Sequence, residues 1–87
     1  MDFEFDPAKS AANKAKHGID FEQAREIWSD DNRLEIAAAS ETENRHAITG
    51  MIGDVCWTAI VTYRADRIRI ISVRRARTVE IENYHSG

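Results

Sequence analysis

Residues 55–75 read VCWTAIVTYRADRIRIISVRR. Two runs rich in β-branched and aromatic residues, 55–64 and 67–75, flank the dipeptide Ala65-Asp66. That pattern predicts two antiparallel strands joined by a tight turn. Counted inward from a two-residue turn, Arg64 faces Arg67, Tyr63 faces Ile68, Val61 faces Ile70 and Trp57 faces Arg74. Alternation then gives the hairpin two unlike sides. One carries Trp57, Val61, Tyr63, Ile68 and Ile70, with Arg74 among them, and is the expected core side. The other carries Ile60, Arg64, Arg67, Arg69, Ile71, Val73 and Arg75. Arg64, Arg67 and Arg69 gather near the tip. Like charges facing each other there destabilise a sheet unless an anion or nearby carboxylates offset them. Arg74, beside Trp57, has two expected fates. It stacks on the indole, or it pairs with Glu80 so that no charge is buried alone.

The flanks complete an α+β chain. Residues 45–52 form a strand closed by Gly53-Asp54, and Leu34, Ile36 and Ala38 alternate in another, with a polar SETEN loop at 40–44 between them. Upstream the period changes to near 3.6. Asp20 and Gln23 have capping-box spacing, and Phe21, Ala24, Ile27 and Trp28 share one helical face that ends at Ser29-Asp30-Asp31-Asn32. Asp6-Pro7 starts an earlier helix, which stops at His17-Gly18. Met1 to Asp6 alternates as a short first strand. Thr78 is the expected cap of a last helix over 79–85. The order βααββββα predicts a mostly antiparallel sheet packed by helices, in a single domain over residues 1–87.

Bulk properties narrow the function classes. A chain of 87 residues buries only roughly 60–65% of its unfolded surface, so its core is small. Hydrophobic and charged fractions of 43% and 31% are those of a globular domain, not a disordered tail. No apolar run approaches the roughly 20 residues of a membrane span. MDFEFD is acidic where a secretory signal has a basic start. The single cysteine, Cys56, excludes an internal disulfide and fits a reducing cytoplasm. His17, His46 and His85 have no metal-site spacing, and no Gly-rich phosphate loop or nucleophile elbow occurs. Neither a metal nor a cofactor is expected. The net charge is −3, yet its distribution is lopsided. Acids dominate residues 1–35, whereas Arg64, Arg67, Arg69, Arg74, Arg75 and Arg77 crowd the last third. Such asymmetry points to nucleic acid or an acidic partner, or to two ends that neutralise each other across the fold.

Four stretches carry a family resemblance. They are FEFDPAKSAANKAKHGIDFEQA over 3–24, Arg45 with Thr49-Gly50, VTYRADRIRIISVRRA over 61–76, and Glu80 with Tyr84 four residues on. In this order the chain resembles the BrnT-type toxins, small bacterial ribonucleases with a RelE-like fold. The resemblance covers nearly the whole chain. It implies metal-free cleavage of RNA, in particular messenger RNA and possible contact with the ribosome, leading to arrested translation and growth. It also implies a DNA-binding ribbon-helix-helix antitoxin as partner, in a heterotetramer with two copies of each.

That chemistry asks for a base to take the ribose 2′-OH proton, cations to steady the phosphate, and an acid for the leaving 5′-oxygen. Arg64, Arg74 and Arg75 offer planar guanidinium forks for the phosphate, and Glu80, Tyr84 and His17 are the proton-transfer candidates beside them. Arg69, Arg67, Lys16, His46 and Arg45 are the expected RNA-binding set, with Lys16 and His46 also open to proton transfer. Structural roles compete for several of these. His17 caps a helix, and Glu80 and Tyr84 share a helical face that docks the last helix. A second function class stays open: a weak or degenerate toxin acting only as antitoxin partner and co-repressor.

Overall fold

The computed structural model describes residues 2–38 and 44–87. Its elements run β1 (Asp2–Glu4), α1 (Pro7–His17), α2 (Phe21–Ala24) continuing as a 3-10 turn over Arg25–Ser29, β2 (Leu34–Ala38), β3 (Arg45–Ile52), β4 (Val55–Arg64), β5 (Arg67–Arg75) and α3 (Thr78–Ser86). The expected βααββββα order and α+β class hold. Most of the 40–44 loop lies outside the described residues, as does Met1 of the first strand. The sheet order is β1-β5-β4-β3-β2. Only β1 runs parallel to its neighbour, β5; the other pairs are antiparallel.

The helix ends follow the sequence logic. Asp6 accepts the Ala8 amide at 2.8 Å, with Pro7 in the first turn where its missing N–H costs nothing. Gly18 closes α1 at φ 80, a left-handed conformation open to glycine without a Cβ clash. Asp20 and Gln23 form the reciprocal capping box of α2. The start of α3 differs from expectation. Its cap is Arg77, not Thr78, because Glu80 turns back to accept the Arg77 amide at 2.7 Å.

The hairpin register agrees near the tip and departs beyond it. Arg64↔Arg67, Tyr63↔Ile68 and Val61↔Ile70 pair as expected, with Ala65 at φ 56 in the turn. The ladder then shifts, so that Ile60 faces Ser72 and Ile71 is an extra residue on β5. A bulge of this kind reverses the side of every later residue on its strand. Trp57 therefore faces Arg75, not Arg74, and Thr58 faces Arg74. Val73 moves to the core side and Arg74 to the opposite one, reversing the expected assignment of both.

The helices cover one sheet face. Ile19, Phe21, Ala24 and Ile27 from the helical layer meet Ile48, Ala59, Val61, Ile68, Ile70 and Val73 from the sheet, and Trp28 and Trp57 pack at the margin. Beyond β1's short pairing with residues 67–69, the outer edge of β5 has no strand partner among the described residues. Asn13 of α1 takes that place at Val73. Its side-chain amide donates to the Val73 carbonyl at 2.9 Å and its oxygen accepts the Val73 amide at 3.2 Å. It also donates to the Ile19 carbonyl at 2.8 Å. One buried side chain thus joins α1, the α1–α2 link and β5.

Candidate functional site

The face away from α1 and α2 is ordered in cross-strand rows, each fixed by the register and the alternation of side chains. Leu34, Thr49, Thr58 and Arg74 form one row. Ile36, Ala47, Ile60 and Ser72 form the next. Thr62, Arg69 and Glu4 follow, and Arg45, opposite Ala38 at the start of β3, turns to the same face. At the tip stand Arg64, Arg67 and Asp2. Helix α3 crosses the first row and leaves the others uncovered. Ile36 is 45% exposed, a sizeable apolar side chain left in water on this face.

The first row is a closed polar network. Arg74 holds Glu80 with both terminal nitrogens, at 2.7 and 3.0 Å. Thr58 donates to Glu80 at 3.1 Å and shares a 2.8 Å hydrogen bond with Thr49. The Arg74 guanidinium, then the Arg77 amide and the Thr58 hydroxyl, hold the Glu80 carboxyl down to about 2 against the opposing effect of burial. This is the second of the two fates expected for Arg74, reached on the face opposite to Trp57. The indole is instead met by Arg75, whose guanidinium carbon lies 5.5 Å from the ring centroid.

Tyr84, one turn beyond Glu80, ties α3 to the other end of the row. Its hydroxyl donates to Asp30 at 2.6 Å, and the same carboxylate oxygen accepts the Met51 amide at 2.8 Å. The bond to Asp30 pushes the Tyr84 hydroxyl up to about 12. Tyr84, with the Met51 amide next, in turn lowers Asp30 below the usual carboxylate range. Asp30 reads in sequence as a turn residue and Thr58 as one polar position in a strand. The forward signals for this network were the expected pairing of Arg74 with Glu80 and the four-residue step from Glu80 to Tyr84.

The tip rows are different. Arg69 pairs with Glu4 at 2.8 Å. Arg64 and Arg67 face each other, and among the described residues neither forms an ion pair, although Asp2 stands opposite Arg67 in the register. The remaining sequence candidates do not join this face. Lys16 and His17 lie in the last turn of α1. His46, which alternation turns to the helix side, meets Glu35 and Tyr63 at the β2 end of the sheet. Among the described residues no cluster of His, Cys, Asp or Glu is placed to hold a metal ion, and no helix is long and apolar enough to cross a membrane.

The open face thus brings Arg64, Arg67, Arg69, Arg74, Glu80 and Tyr84 onto one surface and keeps His17, Lys16, Arg75 and His46 off it. No curated protein matches the chain. The family model described as "Ribonuclease toxin, BrnT, of type II toxin-antitoxin system" matches residues 5–80. That span runs from the end of the first strand through the hairpin to Glu80, and on it the chain belongs to the BrnT family of ribonuclease toxins.

Proposed function

We propose that this chain is an active endoribonuclease toxin that cleaves RNA, in particular messenger RNA, without a metal ion, and that the open sheet face receives the substrate. The observation that carries this is the facing pair Arg64 and Arg67. Two like charges set against each other, with no carboxylate of the described residues drawn in between them, favour an anion between them. A phosphodiester supplies that anion, and arginine forks suit it. Arg69 extends the basic ground inward, and the Arg74–Glu80 pair bounds the site at the α3 end. The apolar row of Ile36, Ala47 and Ile60 between them suits bases or a protein partner. A ribbon-helix-helix antitoxin that covers this row, two copies to two toxins, would block RNA by occupying the same ground.

One observation favours the alternative of a partner that does not cut. Arg74, Glu80 and Tyr84 are all engaged within the protein, and a substrate reaching them must open those bonds. A single experiment decides between the two. The chain is expressed alone in bacteria beside an Arg64→Ala, Arg67→Ala variant, and growth and RNA integrity are followed. Arrest with RNA cleavage in the parent, relieved in the variant, is the expected result. Normal growth with intact RNA, together with firm antitoxin binding, would replace the enzyme by the antitoxin partner.

A further inference from the structure

The two edges of the sheet are finished differently. On the β5 side, β1 pairs with residues 67–69, and the Asn13 side chain bonds both backbone groups of Val73. The other edge is β2, Leu34–Ala38, the last strand in the sheet order. Among the described residues its outer side has no backbone partner. Such an edge offers a row of N–H and C=O groups to any further strand, and natural edges are guarded by lysine, proline, a bulge or an inward charge. β2 holds neither lysine nor proline, and its ladder to β3 runs unbroken over all five residues. Its one charge, Glu35, is drawn back over its own sheet. Oε2 of Glu35 accepts the Tyr63 hydroxyl of β4 at 2.7 Å and lies 3.1 Å from His46 Nδ1 of β3.

The strand that fits this edge best is a second β2. Leu34, Ile36 and Ala38 turn to the open face, and Glu35 and Ala37 to the helix side. An antiparallel pair of β2 strands centred on Ile36 sets Ile36 against its own copy, Leu34 against Ala38 and Glu35 against Ala37. All five residues then pair. Each contact on the open face is apolar, the larger Leu34 meets the smaller Ala38 at both ends, and no like charges stand opposite. Charge and length select this register. A centre at Glu35 would set two carboxylates directly against each other, and a centre at Ala37 would leave Leu34 off the ladder. A patch complementary to itself is the requirement of a two-fold interface. Ile36, 45% exposed, would gain cover from its copy.

We propose that a second copy of this chain docks on the β2 edge by strand addition, joining two five-stranded sheets into one continuous sheet. The two-fold axis stands perpendicular to the sheet, so both open faces look the same way. The apolar row of Ile60, Ala47 and Ile36 runs through the axis into Ile36, Ala47 and Ile60 of the second copy. The Arg64–Arg67 tips lie beyond the Ala38 ends of the two strands, at opposite ends of the joint face. Two equivalent faces on one side of a sheet suit an assembly with two copies of each partner. The docking itself does not depend on whether the chain cuts RNA. A five-residue ladder is a small interface, so the pairing depends on concentration.

The test uses the purified full chain in sedimentation across a wide concentration range, with disulfide trapping alongside. The parent is expected to pass from monomer to dimer as concentration rises. Ile36→Lys places two like charges on the axis and should weaken the dimer at least about 10-fold, while melting like the parent because the side chain is exposed. In a Cys56→Ser background, Ile36→Cys should oxidise to a covalent dimer, since paired Cα atoms about 4.5–5.5 Å apart lie within the span of a disulfide. Ala37→Cys should not, because its own copy is a diagonal neighbour roughly 8 Å away. A parent that stays monomeric up to millimolar concentration overturns the proposal. So does a dimer that Ile36→Lys leaves intact, or one trapped through residue 37 and not through residue 36. Amide protection over residues 34–38 that appears only when antitoxin is added would assign the edge to the antitoxin and overturn it as well.

Discussion

At the scale of single residues, Glu80 is the most heavily committed side chain of the open face. It accepts from both Arg74 terminal nitrogens, the Arg77 amide and the Thr58 hydroxyl. Glu80 and Arg74 side chains are only 17% and 20% exposed, so neither charge is well served by water alone. Glu80→Ala is expected to cost about 3 kcal/mol in urea unfolding, because it strands the Arg74 charge as well as removing the bond. The pH dependence has a definite sign. A carboxyl whose folded pKa is about 2, below the ordinary 4.5, adds stability that is fully present above about pH 4.5. That stability is lost as the pH falls through the folded value. The difference in unfolding free energy between the parent and Glu80→Gln should therefore shrink from pH 5 towards pH 2; a constant difference would show that the carboxylate is not what Arg74 needs. The pairing itself was legible in sequence, as one of two fates for Arg74. Thr58 was not, because a threonine inside an apolar strand run carries no mark of which side it faces.

At the scale of elements, the bulge decides how far sequence reading reached. The turn at Ala65-Asp66 fixed the pairs nearest to it, and these held. One extra residue, Ile71, then moved Val73 into the core and Arg74 out of it. The visible trace was the doublet Ile70-Ile71, which breaks strict alternation. A doublet also suits a strand buried on both faces, so periodicity alone could not separate the two. The same end of the sheet shows why Gly50 must stay small. Gly50 faces Trp57 on the helix side. A Cβ there would lie 3.0 Å from Ile27 Cγ2, 3.3 Å from Arg33 Cβ and 3.4 Å from an Asp30 carboxylate oxygen. Gly50→Ala is thus expected to cost about 1–3 kcal/mol by overpacking and to loosen the Asp30–Tyr84 tie that anchors α3. Thermal unfolding measures the first effect, and faster amide exchange over residues 78–86 the second; unchanged values in both would mean that the 3-10 turn yields freely.

At the scale of the whole molecule, the proposed RNA site sets a basic tip on an acidic chain, so phosphates would be held locally, against a net charge of −3. Acids near the N-terminus do not cancel the arginines wholesale. Glu4 neutralises Arg69, but among the described residues Asp2 makes no ion pair with Arg67, and Arg64 makes none at all. This division has two consequences with opposite signs. Removing Arg64 and Arg67 should weaken RNA binding, and it should also relieve a facing pair of like charges within the fold. Each phosphate contact adds about 0.7 to the slope of log affinity against log salt for a single strand. The Arg64→Ala, Arg67→Ala variant should therefore bind non-cleavable RNA with a slope shallower by about 1.4, while its melting temperature is equal to or above that of the parent. A folding role for the two arginines would lower the melting temperature instead. An unchanged slope would mean that the phosphates lie elsewhere on the chain. Affinity and stability must move apart in this variant if the tip is built for a ligand, because only the bound anion turns the repulsion between Arg64 and Arg67 into attraction.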